Sequence, residues 1–295
     1  MIKLNHALVA VAFTIVLVSC TKEEDAPPVN PNNLSLNISG LEDLGSGYAY
    51  EGWIMVNGSP KSAGIFTVDA NGKLSQSGFQ ISEADLNSAT AYILTIEPSP
   101  DNDPNPSDVH ILAGNFNSNT ASLTVNHPAA LGTDFTSAMG KYILATPTDM
   151  DSTNEASGVW WLDPAAGPAA GLVLPTLPAG WKYEGWAVIN GTPFSTGTFT
   201  DPMMADNAAP YSGPNPGPPF PGEDFLLNAP AGTTFPTDLR GGVVVISVEP
   251  DPDNSAMPFL LKPLVGMVDA NASVHAAQMM NNNAAATNPN GTVTR

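Results

Sequence analysis

The chain has 295 residues, with 28 Asp and Glu against 9 Lys and Arg and a net charge of -19, so nucleic acid and anionic lipid surfaces are poor partners. Only 13% of residues are charged, whereas 26 Gly and 29 Pro punctuate the chain, a composition that suits a β-rich extracytoplasmic protein and not a helical or disordered one. The single Cys, Cys20, excludes an internal disulfide, and stability must come from burial.

After Lys3, an apolar run from Ala7 to Val18 is too short to span a bilayer and has the length of a signal-peptide core. It ends in Leu17-Val18-Ser19-Cys20, which resembles a bacterial lipobox. Residues 1–19 therefore read as a lipoprotein signal peptide, and Cys20 as the lipidated first residue of the mature chain. Residues 20–33 read as a tether, with Ala26-Pro27-Pro28-Val29-Asn30-Pro31 as plain linker composition. The acidic run Glu23-Glu24-Asp25 resembles the surface-export signals of some Gram-negative lipoproteins, and a solvated tether accounts for it as well. The expected location is the outer membrane, with the lipid as the membrane contact; periplasmic and cell-surface orientations both stay open.

One phrase is written twice: YEGWIMVNGSPKSAGIFT begins at Tyr50 and YEGWAVINGTPFSTGTFT at Tyr183. TIEPSPDNDPNPSDVHILAG, ending at Gly114, and SVEPDPDNSAMPFLLKPLVG, ending at Gly266, complete the copies. The extra length of the second copy is taken up largely by a Pro-rich insertion over 210–224, as in a duplicated domain whose loops have drifted. In each copy an aromatic and aliphatic strand, 50–56 or 183–189, runs into Asn57-Gly58 or Asn190-Gly191. Asn-Gly readily takes the positive φ of a tight hairpin, so return strands are expected over 65–68 and 197–200. Residues 91–97 and 243–249 are β-branched runs stopped by Pro98 and Pro250. Between the copies, 141–145 and 158–162 add two strands around a polar loop, 147–156. These elements predict an all-β chain of two tandem antiparallel β-sandwich (immunoglobulin-like) domains, 34–155 and 156–268. Residues 269–295, rich in Ala and Asn, read as a low-complexity tail with a short helix over 273–280 and a disordered end.

Tyr-Glu-Gly-Trp, an apolar strand, a Gly turn, a Ser-x-Gly-x-Phe strand and a strand closing in Glu-Pro before a Pro-rich loop together resemble the extracytoplasmic C-terminal domain of the anti-sigma-K factor family. The resemblance covers about residues 41–114 and 174–266. It implies the fold and its use as an extracytoplasmic sensing or interaction module. The sigma-binding domain and membrane-spanning helix of a full anti-sigma factor have no counterpart here, so direct sequestration of a sigma factor is not expected of a lipid-anchored chain.

Glu51 with Glu97, and Glu184 with Glu249, are carboxylate pairs of the type used in glycoside hydrolysis. Their positions within or at the end of strands better suit carboxylates that accept backbone N–H groups. His6, His110, His127 and His275 are scattered, and no enzymatic activity and no cofactor are expected. Asp101-x-Asp103-x-Asn105 has the oxygen spacing of a calcium loop but lacks its Gly and distal Glu; a solvated rigid loop suffices. Trp53 and Trp186 occupy equivalent strand positions and read as core. Trp160 and Trp161 differ, because neighbours in a strand point to opposite faces, so one of them is expected to be exposed beside the loop carrying Asp149 and Asp151. Tyr211 and Phe220 are expected on display along the stiff insertion. Trp160, Trp161, Tyr211 and Phe220 thus form the candidate surface of a non-enzymatic envelope lipoprotein that binds a ligand or an envelope protein. The alternative is an envelope-sensing accessory in extracytoplasmic sigma-factor signalling; a glycan-active enzyme is the weaker third reading. Replacing Cys20→Ala is expected to abolish labelling by an alkyne fatty acid and to move the protein out of the membrane fraction; retention of the label would remove the lipobox reading.

Overall fold

The computed structural model describes residues 33–295 apart from 166 and 254. The signal peptide, Cys20 and the tether as far as 32 lie outside the described residues. Strands account for 41% and helix for 6%, an all-β chain of antiparallel sheets. The first copy contains β1 (Asn33–Ser39), β2 (Tyr48–Val56), β3 (Ser59–Phe66), β4 (Gly78–Gln80), α1 (Glu83–Ser88), β5 (Ala89–Pro98), β6 (His110–Asn117) and β7 (Thr120–Thr124). A bridging stretch follows with β8 (Met139–Leu144), β9 (Gly158–Trp160), β10 (Leu162–Asp163), β11 (Ala169–Ala170) and β12 (Leu172–Val173). The second copy supplies β13 (Trp181–Ile189), β14 (Thr192–Phe199), β15 (Gly222–Asp224), β16 (Val243–Pro250) and β17 (Leu264–Met267). The C-terminal stretch adds β18 (Gln278–Met279), β19 (Asn281–Asn282), α2 (Ala284–Thr287) and β20 (Asn290–Thr294).

The repeated phrase builds the same hairpin twice. Asn57 and Gly58 have φ of 51° and 80°, and Asn190 and Gly191 have 52° and 82°, the paired left-handed residues of a type I′ turn. Because that turn uses only two residues, the return strands begin at once, at Ser59 and Thr192, earlier than 65 and 197. Both hairpins shift register at one equivalent place, between Gly52 and Trp53 and between Gly185 and Trp186. Across the hairpin Tyr50 stacks on Phe66 at 5.6 Å and Tyr183 on Phe199 at 5.7 Å. Both tyrosine hydroxyls then donate eight residues upstream, to the carbonyls of Glu42 and Pro175.

The larger sheet has the order β3-β2-β5-β6-β7-β20-β1-β4, and the second-copy sheet runs β14-β13-β16-β17-β19. A third is centred on β8, which pairs with β9, β12 and β18. One apolar cluster runs through both copies, with Leu94, Ile111 and Val293 from the larger sheet and Tyr183, Ile246 and Leu264 from the second. Residues Asn32–Arg295 form one compact unit. The division expected at 155/156 falls between β8 and β9, which pair with each other through Ile143 with Trp160 and Leu144 with Val159. Strands from either side of it therefore share a sheet.

The C-terminal stretch is a correction to the expected disordered tail. β20 pairs with β1 on one side and β7 on the other, and Val293 is fully buried. Gly291 is needed there because a Cβ would stand 2.4 Å from the Asn37 carbonyl oxygen. The Asn282 amide donates to the carbonyls of Phe135 and Ala138, and the Arg295 guanidinium stands 4.4 Å over the Phe116 ring. The short helix occupies Ala284–Thr287, not 273–280, where β18 forms instead. Asn, Thr and Gly suffice for a strand whose backbone groups are taken up on both edges. Val293→Ala is expected to cost roughly 2 kcal/mol, and truncation before Asn290 to abolish cooperative unfolding in urea; a truncated chain with an unchanged midpoint would show the strand to be dispensable.

Candidate functional site

With 9 Lys and Arg against 28 acids, most buried carboxylates must find neutral donors, since an unpaired buried charge is costly. On β2, Glu51 accepts from the Ser62 hydroxyl of β3. Trp53 Nε1 donates to Thr95 Oγ1 at 2.9 Å, and the Thr95 hydroxyl donates to Glu97, whose carboxylate accepts the Ser107 N–H at 2.9 Å. The second copy repeats the set. Ser195 donates to Glu184, Trp186 Nε1 to Ser247 Oγ at 2.7 Å, and the Phe259 N–H to Glu249 at 2.9 Å. The Glu-Pro acids therefore tie down the loops that follow them through backbone N–H groups, as the sequence suggests. Glu51 and Glu184 differ from that expectation: their partner is the Ser of Ser-x-Gly, which the bulged hairpin brings alongside.

The second copy gathers its acids more closely. Carboxylate oxygens of Glu184, Glu249 and Asp253 lie within 4.8 Å of one another. Burial pushes the Glu184 carboxyl up to about 7 and that of Glu249 to about 8. A cavity of about 90 Å³ adjoins them, lined by Glu249, Asp253 and Phe259 and, from the first copy, by Glu42, Tyr48 and Ile96. Burial also raises Glu42 to about 7, although Lys262 opposes the shift. Three oxygens at this spacing match what a hard cation takes, but Glu184 and Glu249 already accept bonds from Ser195 and Phe259. What the arrangement holds readily is protons, because neighbouring carboxylates out of water do not all ionise.

The expected exposure of one member of the Trp pair is corrected. Trp161 is 0% exposed, packed edge-on to Tyr142 at 6.1 Å. Trp160 is 4% exposed, because the Pro-rich insertion folds over it: a Cβ on Gly217 or Gly222 would lie 2.4 or 2.5 Å from its ring. Its Nε1 donates to Asp224 Oδ1 at 2.7 Å. Tyr211 is not on display either; it is half-buried among Phe194, Phe225 and Phe235, with ring centroids at 6.2, 5.8 and 5.3 Å. Phe220 packs, half-buried, on Ile143, Ala145, Trp160 and Leu162. Asp101 and Asp103 accept the N–H groups two residues on, at 2.9 and 3.0 Å, so their spacing is that of successive Asx turns.

Sequence reasoning missed Glu223 and Asp224, both fully buried. Asp224 accepts the Thr148 N–H at 2.9 Å and its hydroxyl as well as the Trp160 indole, while Glu223 accepts from Ser212. Two adjacent acids closing a Pro-rich stretch without a nearby cation were the available signal. Together they pin the insertion across β9 and leave one groove beside it, of about 450 Å³. Ile143, Trp160 and Leu162 line it with Pro147 and Pro218, and Asp149, Asp151 and Glu155 supply its acidic groups. Met150, 93% exposed, stands in the same lining, and His275 Nε2 lies 3.3 Å from Glu155. Trp160 and the Asp149–Asp151 loop, singled out from sequence, thus meet in this groove; Trp161 and Tyr211 face elsewhere.

No family model, curated protein or solved structure matches the chain.

The raised carboxyls have a consequence for stability. A group whose folded pKa exceeds its unfolded value near 4.5 stabilises the fold fully below that value, and the contribution is lost as pH rises through the folded pKa. For Glu184 and Glu249 the window runs from about 4.5 to about 8, with an effect on the order of 3 kcal/mol per group. Thermal melts are expected to fall between pH 5 and 8.5, and Glu249→Gln to flatten that fall; an unchanged slope in the variant would remove Glu249 as its source.

Proposed function

We propose that this chain is a non-enzymatic, lipid-anchored binding module of a Gram-negative cell envelope, and that it engages a protein partner through the groove beside β9. The observation that carries the reading is the groove itself: apolar lining at Ile143, Trp160 and Leu162, set under a rim of prolines and acids with Met150 at its lip. A groove with an apolar floor, a rigid polar rim and an exposed methionine at its lip is what interaction sites offer. All five tryptophans are buried and the repeated Glu and Trp groups bond within the protein, which favours a protein partner over a stacked sugar. Among the described residues no helix is long and apolar enough to cross a membrane, so the attachment in this reading is the lipid on Cys20.

The resemblance of both copies to the outer domain of anti-sigma-K factors supports a narrower version, an envelope-sensing accessory in sigma-factor signalling whose partner is a membrane-spanning anti-sigma factor. A photo-crosslinking residue at position 150 is expected to yield one discrete adduct in intact envelopes, lost when Asp149→Lys and Asp151→Lys are added. The adduct's identity separates the two versions. The same diffuse pattern from position 150 as from the exposed control position 257 would sink the groove as a binding site.

A further inference from the structure

The groove does not end at Trp160. Along β8 side chains alternate, with Gly140, Tyr142 and Leu144 turned to the main core and Met139, Lys141 and Ile143 turned the other way. Ladder partners share a face, so Val173 lies beside Met139, Met279 beside Lys141, and Trp160 beside Ile143. One sheet face therefore runs from the groove to Met139, Val173 and Met279, which are 59%, 57% and 64% exposed. A single ion pair, Lys141 with Asp163, interrupts it.

The charges along this face are one-sided. Asp149 and Asp151 bond to neutral amide and hydroxyl donors, Asn154 and Thr153 among them, and neither has a cationic partner among the described residues. Among the described residues Glu155 meets His275 and the Thr146 donors, and Lys141 is spent on Asp163. A second copy of the chain would bring a further charge of -19 against this rim, so like-charge repulsion disfavours self-association.

We propose that this face, from Met150 past the Lys141–Asp163 pair to Met279, receives a basic, apolar segment of a partner protein, whose cationic side chains meet Asp149 and Asp151 while its apolar side chains lie on the exposed Met139, Val173 and Met279. The proposal deepens the groove reading above and rests on it. Methionine suits such a surface, since its unbranched, polarisable side chain repacks against varied apolar partners.

The test uses the folded protein with a synthetic peptide of alternating Lys and Leu as probe, and an alternating Glu and Leu peptide as control, followed by hydroxyl-radical footprinting of methionine oxidation. The Lys-Leu peptide is expected to protect Met139, Met150 and Met279 while leaving Met203, Met204 and Met257 reactive, and Asp149→Asn with Asp151→Asn is expected to weaken it about fivefold. Asp101→Asn with Asp103→Asn, as a charge-matched control, is expected to leave the affinity unchanged. Met139→Gln with Met279→Gln tests the apolar end in the same way, with near-UV circular dichroism confirming the fold of each variant. Equal protection of all six methionines, or equal weakening by Asp101→Asn with Asp103→Asn, overturns the proposal. If crosslinking from position 150 succeeds while these variants bind normally, this inference fails and the groove reading stands; if crosslinking also fails, both fall.

Discussion

The larger sheet depends on β20. It fills the space between β7 and β1, and among the described residues no other strand links β1 to the β7 side of that order. Val293 goes into the core, and Arg295 reaches past the strand end to the carbonyls of Ala89 and Ser118, fastening the last residue to the first copy. Pairing β1 with β20 closes a loop that runs from Ser39 to Asn290, and that entropy is overcome only when the final residues are in place. Until then β1 and β7 present open edges, the usual templates for unwanted pairing. The same closure makes one unit of two copies.

Within the sheets the second constraint is the shortage of cations. Burying a carboxylate without a partner costs several kcal/mol, and here hydroxyls and backbone N–H groups take the place of Lys and Arg. The Glu51 bond to Ser62 crosses β2 and β3 beside the bulge, and a slip of one residue would leave the acid facing apolar neighbours. Buried acids thus act as register marks. Because hydroxyl donors compensate less of the desolvation than a cation would, burial raises the carboxyls of Glu51, Glu184 and Glu249, and the register marks of the second copy, Glu184 and Glu249, are sensitive to pH.

Much of the fold could be read from local chemistry. Asn57-Gly58 and Asn190-Gly191 sit in the turns that their positive φ suits, and the β-branched runs ending at Pro98 and Pro250 are β5 and β16. Failures came where tertiary contacts override composition. Residues 290–294 contain one large apolar side chain, Val293, and become a strand because both neighbours supply hydrogen bonds. Trp160 alternates with Trp161 as strand geometry requires, but alternation decides only which face a ring occupies. That a Pro-rich segment covers the second face, pinned by Asp224, is long-range information: Trp160 and Asp224 are 64 residues apart.

The two copies also locate where binding has room to arise. The Tyr, Glu and Trp of the repeated phrase are engaged inside their own copy: Tyr50 with Phe66, Glu51 with Ser62, Trp53 with Thr95, and their counterparts in the second copy. Such a phrase reproduces a fold and leaves little side-chain chemistry over for a ligand. The copies differ at their edges. In the second, Asn207 takes the outward backbone groups of Thr198, at 3.0 Å for its N–H and 2.8 Å for its side-chain oxygen; in the first, the corresponding residue is the exposed Ile65. The segment that covers β14 continues into the insertion that walls the groove, and β8 and β9 have no duplicate. Residues unique to one place in the chain therefore form the accessible surface, while duplicated residues hold the scaffold on which it stands.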